Sequence, residues 1–313
     1  MISNTPDTHS INKIHLQCPL CLATELKTFQ GSSYSGMLTS CVKCKFIFST
    51  TLASESELNN FYESYPDYPE LSQLTIKRYH ELLDSFEKFR KTNRLLDVGC
   101  GHGHFLEEAK KRGWEVYGTE FTAKAIRICE SKGINMELGE LSKNTFSGIP
   151  FDVITSIEVI EHVSKIRDHL KQYSDHLTLG GALYITTPNF NSLSRYIMKN
   201  KWRVITYPEH LNYFTVHSLS WFLKHEKLKI CSLETTGLSL SEISNFISNK
   251  RSARNLHNSV LDPESENYKL RENIEKNKLK RLIKKTTNKI LSVLKLGDTI
   301  KILCVFNPTK ERR

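Results

Sequence analysis

Along this chain the spacing of apolar residues changes character at Asn93, and from there short apolar runs alternate with longer amphipathic ones. RLLDV reads as a buried strand, and GCGHGHFLEEAKKRG as a glycine-rich turn opening a helix that stops at Gly113. WEVYGTE and TAKAIRICESKG repeat the strand–helix pair, INMELGE is a third strand and FDVITSI a fourth. The spacing then predicts a long helix from Glu158 to the glycine pair Gly180 and Gly181, followed by ALYITTPN as a fifth strand. HSLSWFLKHEK is a further helix, LKICSLETTG a strand, and TIKILCVFNP a final strand. Alternation of this kind builds a parallel sheet wrapped by helices, an α/β doubly wound architecture.

The flanking segments read differently. Residues 14–50 hold two CxxC pairs in HLQCPLC and CVKCKFIF, with FIF strand-like after the second. Residues 55–92 are polar and helical in pattern and carry the aromatic cluster Phe61, Tyr62, Tyr65 and Tyr68. The expected organisation is therefore a small N-terminal unit over 1–54, a helical linker or lid over 55–92, and a core over 93–236. A basic helical insertion over 237–298 and a last core strand with its tail over 299–313 complete it. No internal repeat or low-complexity tract interrupts this plan.

Cysteine usage adds a metal. Of eight cysteines, Cys18, Cys21, Cys41 and Cys44 form the two pairs, while Cys100, Cys129, Cys231 and Cys304 are scattered among apolar neighbours. Each CxxC turn presents two thiolates to one ion, and two turns complete a tetrahedron around zinc. The 19 residues between Cys21 and Cys41 are a usual separation for a zinc ribbon. Four thiolates leave no open position, so such a zinc is structural. Free thiols are the competing reading.

Net charge is +10, and it is uneven: residues 271–313 hold 13 Lys+Arg against 4 Asp+Glu, or +9. Lys276, Lys278, Lys280, Arg281, Lys284, Lys285 and Lys289 come with no acid among them, while Leu279, Leu282, Ile283, Ile290 and Leu294 recur at helical spacing. Such a helix can lie on an anionic membrane surface or pack on the core with its lysines in water. No run approaches the ~18 apolar residues of a membrane span. The opening MISNTPDTHSINKIH has no apolar signal core, so a cytoplasmic protein, peripheral at the inner membrane face if the helix docks there, is expected.

Chemistry concentrates first at Asp97-Val-Gly99-Cys-Gly101-His-Gly103. Glycines let a backbone approach a ligand closely at a helix N-terminus, where N–H groups favour an anion. The dinucleotide fingerprint G-x-G-x-x-G is not met, because His104 stands at its last position. Glu120, 17 residues after Gly103 at the end of the second strand, is placed to accept hydrogen bonds from ribose hydroxyls. LLDVGCGHGHF followed by VYGTE resembles the first two motifs of class I S-adenosylmethionine-dependent methyltransferases, over about 94–229 and the last strand. The resemblance implies a seven-stranded Rossmann-like core. It implies that Asp97, Gly99, Gly101 and Gly103 hold or adjoin the methionine part of S-adenosylmethionine, that Glu120 holds its ribose, and that Glu140 lines the adenine.

The second concentration is Glu158-Val-Ile-Glu161-His162. If it opens a helix, positions i, i+3 and i+4 put both carboxylates and the imidazole on one face. Thr187-Pro188-Asn189 and Pro208-Glu209-His210 converge there if strand carboxyl ends carry the site, as in open α/β sheets. Together these stretches resemble metal-dependent small-RNA 2′-O-methyltransferases, ubiquinone-pathway O-methyltransferases and glycan-cluster methyltransferases that carry a zinc ribbon. By that resemblance Glu158, Glu161, His162 and His210 bind one divalent ion, Mg²⁺ or Mn²⁺, that activates an acceptor hydroxyl. Two alternatives stay open here: a metal-free site with one histidine as general base, and a purely structural helix start. The longer His- and Phe-rich run of the RNA enzymes is missing, whereas the Pro208-Glu209-His210-Leu-Asn-Tyr213-Phe214 segment and the cysteine pairs resemble the glycan-cluster type, and that resemblance implies a sugar hydroxyl on a nucleotide, lipid or polysaccharide as the acceptor. RNA, a phenol or quinone, and carbon methylation of a nucleotide-sugar are the runners-up. A different class is a nucleic-acid-binding protein built on an inactive methyltransferase fold, against which the intact Asp97–Gly103 turn speaks.

Overall fold

In the computed structural model, residues 14–29, 36–52, 57, 71–248 and 277–307 are described, so the Phe61–Tyr68 aromatic cluster and Lys276 lie outside them. The chain opens with three short strands, β1 (Leu26–Thr28), β2 (Leu38–Cys41) and β3 (Ile47–Ser49). Helix α1 (Gln73–Phe86) starts where the Ser72 side chain accepts from the Thr75 amide. Then follow β4 (Arg94–Val98), α2 (His104–Lys111), β5 (Glu115–Glu120), α3 (Ala123–Ser131) and β6 (Asn135–Leu138). Next come β7 (Phe151–Ile157), α4 (Ile166–His176), β8 (Leu177–Pro188), α5 (Leu193–Met198) and β9 (Asn212–Tyr213). The last elements are α6 (Val216–His225), β10 (Leu228–Thr236), α7 (Leu240–Ile247), α8 (Lys278–Leu294) and β11 (Thr299–Phe306).

Seven strands form one sheet in the order β10-β11-β8-β7-β4-β5-β6. Strands β4 to β8 pair in parallel, whereas β11 runs antiparallel to both β8 and β10. The chain leaves β4 towards β5 and β6, then returns to place β7 on the other side of β4. That reversal is a topological switch point, and ligands in such sheets bind beyond the strand carboxyl ends there. The sheet is the doubly wound α/β core expected from the alternation of elements, with the seven strands that the resemblance implies.

The helix after β7 differs from the expectation at both ends. Helix α4 covers only Ile166–His176, and Glu158–Lys165 is a series of turns. Glu158 sits at φ 55, outside helical backbone. The carbonyls of Ile160 and Val163 accept from the Asn212 side-chain amide at 3.0 and 2.6 Å. The Glu161 carbonyl accepts from the amides of Leu211 and Asn212. Carbonyls that a helix would use internally are thus taken by a distant segment. At the other end, Leu177–Gly181 belongs to β8, and the pairing with β7 jumps from Leu177 opposite Phe151 to Ala182 opposite Val153. The glycine pair serves this bulge rather than a helix stop.

The N-terminal unit is not a separate bead. Its sheet has the order β1-β2-β3-β9, so a strand of the core completes it. Phe46 and Phe48 are fully buried, and the Phe46 ring packs 4.9 Å from that of Phe214. Each such burial contributes roughly 1.5–3 kcal/mol, which ties the unit to the core through apolar contact as well as hydrogen bonds.

Candidate active site

The glycine turn leaves the end of β4, beside the switch point. Gly99, Gly101 and Gly103 all have positive φ, at 68, 55 and 71°. At Gly99 a Cβ would lie 2.6 Å from Val159 Cγ2, and at Gly103 one would lie 2.7 Å from Ile134 Cδ1 and 2.8 Å from Cys129 Sγ. Glycine is demanded there both by conformation and by close packing. Gly103 caps α2 without a side chain, and α2 carries the turn into the sheet's flanking layer.

Two acids face this turn. The Asp97 carboxyl is buried and accepts from the Thr155 hydroxyl at 2.6 Å. Burial raises its pKa to about 7, the Thr155 bond works against that rise, and the Glu120 charge adds to it. Glu120 closes the turn from the neighbouring strand: one oxygen accepts from the Gly101 amide at 3.0 Å, the other from the Phe121 amide at 2.8 Å. A carboxylate has about four lone-pair sites, so these bonds leave capacity for the two hydroxyls of a ribose. The Gly139 amide bonds to the Glu120 carbonyl, which brings Glu140 to the same corner. A left-handed glycine turn, a buried carboxyl of ambiguous charge and an acid on the next strand fit an adenosyl cofactor with a cationic sulfonium end.

The second cluster adjoins the first, since Val159 fills the space against Gly99. Ligand-capable atoms of Glu161, His162 and His210 all lie within 4.8 Å of one another. The two imidazole rings sit 4.7 Å apart. Each is held the same way: His162 Nδ1 donates to the Glu209 carbonyl at 2.8 Å, and His210 Nδ1 donates to the Val204 carbonyl at 2.6 Å. With Nδ1 as the protonated nitrogen, both rings turn a bare Nε2 lone pair to the site. Burial, and then the His210 charge, lower the His162 pKa to about 3, and burial also lowers that of His210. Both are neutral near pH 7.

Glu161 is buried, and one of its oxygens accepts from the Thr187 hydroxyl at 2.9 Å. Burial and the neighbouring Glu158 hold its pKa well above the usual carboxylate range. Glu158 falls outside the three-residue group, a departure from the expected four-ligand set. The turn at φ 55 sends its side chain to Glu161 and Thr186 instead, and burial raises its pKa as well.

The four cysteines of the N-terminal unit also converge. Cys18 and Cys44 sulfurs are 3.6 Å apart, Cys21 and Cys41 sulfurs 3.5 Å, and all four lie within 4.8 Å of one another. None is in a disulfide. Sulfurs at 2.3 Å from a tetrahedral ion stand about 3.8 Å apart, so the cluster fits zinc without rearrangement of the fold. Nearby, a cavity of about 360 Å³ opens between this unit, α4 and α6, lined by Cys21, Lys43, Arg167, Trp221 and His225. It includes no residue of the glycine turn or of the histidine cluster.

Thr155, Thr187 and Asn212 are the site residues that sequence reasoning missed. Thr155 is one of three buried polar residues in its strand, with Asp152 and Ser156, so its sequence position alone did not single it out. Thr187 stood in the motif Thr187-Pro188-Asn189 without a role, and the work of Asn212 depends on folding alone.

A methyltransferase-domain family model matches residues 70–233, just over half of the chain. The chain belongs to that family. Its strand order agrees, giving the class I methyltransferase fold. The rat protein named mitochondrial ubiquinone biosynthesis O-methyltransferase is 28% identical over 169 residues, 50% of this chain and 47% of that protein. A ubiquinone biosynthesis O-methyltransferase of Sinorhizobium fredii is 28% identical over 102 residues, 31% of this chain and 41% of its own length. The chain therefore spans less than half the length of these curated relatives. A solved S-adenosylmethionine-dependent methyltransferase from Archaeoglobus fulgidus is 20% identical, with a TM-score of 0.48 over 74% of this chain and 93% of that one.

Proposed function

We propose that this methyltransferase transfers the methyl group of S-adenosylmethionine to a hydroxyl oxygen, and that the hydroxyl belongs to a sugar carried on a nucleotide, lipid or polysaccharide. The observation that carries the reading is the pair of neutral imidazoles, with bare Nε2 atoms, meeting Glu161 beside a cofactor turn. S-adenosylmethionine supplies the electrophilic methyl group. Asp97 and Glu120 orient it from opposite ends of the turn, and the glycines keep the approach clear. The relatives are named O-methyltransferases, which supports oxygen as the accepting atom.

For the acceptor side, the donor set of one carboxylate and two imidazoles with open positions suits Mg²⁺ or Mn²⁺. Such an ion supplies Lewis acidity that lowers the pKa of a hydroxyl. Glu161, His162 and His210 would hold it, Thr187 fixes the Glu161 carboxylate, and the Glu209 and Val204 carbonyls fix the rings. A histidine with a pKa near 3 is a poor general base at neutral pH, because it gives back any proton it takes. The same neutrality is what a ligand needs. The four-cysteine cluster is assigned a structural zinc on the strength of its spacing.

A quinone-pathway acceptor is the second reading, favoured by the names of the relatives. Retention of labelled S-adenosylmethionine, followed by label transfer to a panel of glycosides and quinone-pathway phenols with and without added Mn²⁺, separates these. Failure to retain the cofactor overturns the enzyme assignment, and transfer to a phenol alone overturns the sugar.

A further inference from the structure

Helix α8 has an inverted mounting. At 100° per residue, Lys284, Thr287, Asn288, Leu291 and Ser292 share one side of it, the side that is least exposed. That side docks through polar groups: the Gly237 amide bonds to Asn288 Oδ1 at 3.1 Å, and the Thr235 amide to Ser292 Oγ at 3.2 Å. Leu291 is its one buried apolar residue. Leu279, Leu282, Ile283, Ile290, Val293 and Leu294 project from the opposite side, within an arc of about 120°. They are 54 to 74% exposed. An amphipathic helix of a water-bathed protein turns such a stripe inwards, against the core.

We infer that α8 is an interfacial helix that docks the protein on an anionic lipid bilayer. The charge around the stripe decides the occupant. Lys278, Lys285 and Lys289 border one edge, and the helix contains no acidic residue. Lysines along the edge of an apolar face reach up to headgroup phosphates while the aliphatic side chains enter the acyl boundary. A second copy on the same face would bring two lysine-edged stripes together with no acid to pair them. At 17 residues α8 is about 26 Å long, enough to lie in the interface. Among the described residues no helix is long and apolar enough to cross a membrane, so the contact is peripheral.

Just past its end, α8 is joined to the strand end that adjoins the candidate site. The carbonyls of Lys295 and Gly297, just past α8, accept from the Asn189 side-chain amide at 3.0 and 2.8 Å, and the Asp298 carbonyl accepts from the Asn189 amide at 2.7 Å. Asn189 lies two residues after Thr187, which holds Glu161. The docked helix therefore ends at the rim of the acceptor cluster. Resting on the acceptor assignment above, this gives the acceptor's carrier: a lipid anchored in the same leaflet.

The test of docking needs neither cofactor nor acceptor, so it stands apart from the proposed activity. Full-length protein is sedimented with phosphatidylcholine vesicles, with and without a phosphatidylglycerol fraction. Binding is expected only with the anionic lipid and should fall steeply at ~1 M salt, where the screening length is ~3 Å. Leu282→Asp with Ile290→Asp should weaken it by about tenfold or more, and Lys285→Glu with Lys289→Glu by a similar factor. All four positions are exposed, and thermal melting checks that the variants fold. No binding to anionic vesicles, or equal binding by both variants, overturns the inference. So does a dimer in sedimentation velocity that Leu282→Asp with Ile290→Asp dissociates while vesicle binding is absent.

Discussion

Asp97 should make cofactor binding proton-coupled. Burial holds its pKa at about 7, against about 3.9 for an exposed aspartate. Near pH 6 about 90% of the folded, ligand-free protein therefore carries a proton on Asp97, and near pH 8 about 10%. A cationic ligand beside the carboxyl demands the ionised form. Binding near pH 6 should then release close to one proton and be about tenfold weaker than at pH 8, with affinity rising through pH 7 to a plateau. Calorimetry in two buffers of different ionisation enthalpy reads the released proton directly. Asp97→Asn should remove both the release and the pH dependence. The same group acts on stability with the opposite sign to a salt-bridged acid. The unfolded chain loses this proton near pH 4, the folded chain only near pH 7, so the folded state loses stability across that window and the deficit is complete above it. At 1.36 kcal/mol per pH unit the deficit is about 4 kcal/mol, an upper bound for a fully buried group. Asp97→Asn should accordingly melt higher than wild type at pH 8 and close to it at pH 4. Tight binding at pH 6 with no proton released, or an asparagine variant with the wild-type pH profile, would refute the role of Asp97.

Three further outcomes are expected. Mn²⁺ binding followed by paramagnetic resonance should disappear in Glu161→Ala, His162→Ala and His210→Ala, survive in Glu158→Gln, and weaken by roughly 10–100-fold in Thr187→Val, while cofactor affinity stays within a few-fold throughout. Elemental analysis should find one zinc per chain, and Cys41→Ser should lose it and lower the melting temperature by roughly 5–10 °C; four freely titrating thiols in metal-replete protein would sink the ribbon assignment. Gly99→Ala should cost about 1–3 kcal/mol in denaturant unfolding, since φ 68 is strained for alanine and its methyl would meet Val159, and an unchanged midpoint would show that the turn is looser than its packing indicates.

The parts that were legible in the sequence are those whose signal is local. Strands β4 to β8 announce themselves by apolar runs, the turn by three glycines spaced two apart, and the cysteine cluster by two CxxC pairs. The helix expected at Glu158 failed because its carbonyl acceptors are captured by Leu211 and Asn212, about fifty residues away. Helical periodicity there was real but belonged to a set of turns that happen to place Glu161 and His162 together. The same distance effect hid β9, which is two residues long and exists only because β3 pairs with it. For α8 the amphipathic pattern was plain, but a pattern says that two faces differ and not which one turns outwards. That orientation came from Asn288 and Ser292, two polar residues whose backbone partners could be found only in the folded chain.

The position of the four-cysteine unit links the two proposed metal sites mechanically. His210 lies on a stretch with almost no regular structure of its own. Its ring is held by the Val204 carbonyl, and its carbonyl accepts from the Tyr213 hydroxyl at 2.9 Å. Immediately beyond it, Leu211 accepts from the Ser49 amide, Ile47 and Phe48 pair with Tyr213 and Asn212, and Phe214 packs on Phe46. From the other side the amides of Leu211 and Asn212 bond to the Glu161 carbonyl. Two strand residues are too few to hold a register unaided, so the segment is fixed as a plank between the cysteine unit and the turn that carries Glu161 and His162. Loops exposed to water move by more than the ~0.5 Å that a ligand set tolerates. If zinc fixes Cys18, Cys21, Cys41 and Cys44, it fixes β3, and β3 in turn fixes the distance from His210 to Glu161 and His162. The unit in front of the methyltransferase core would then brace the proposed acceptor site, in keeping with the hydrophobic core that it shares with the enzyme.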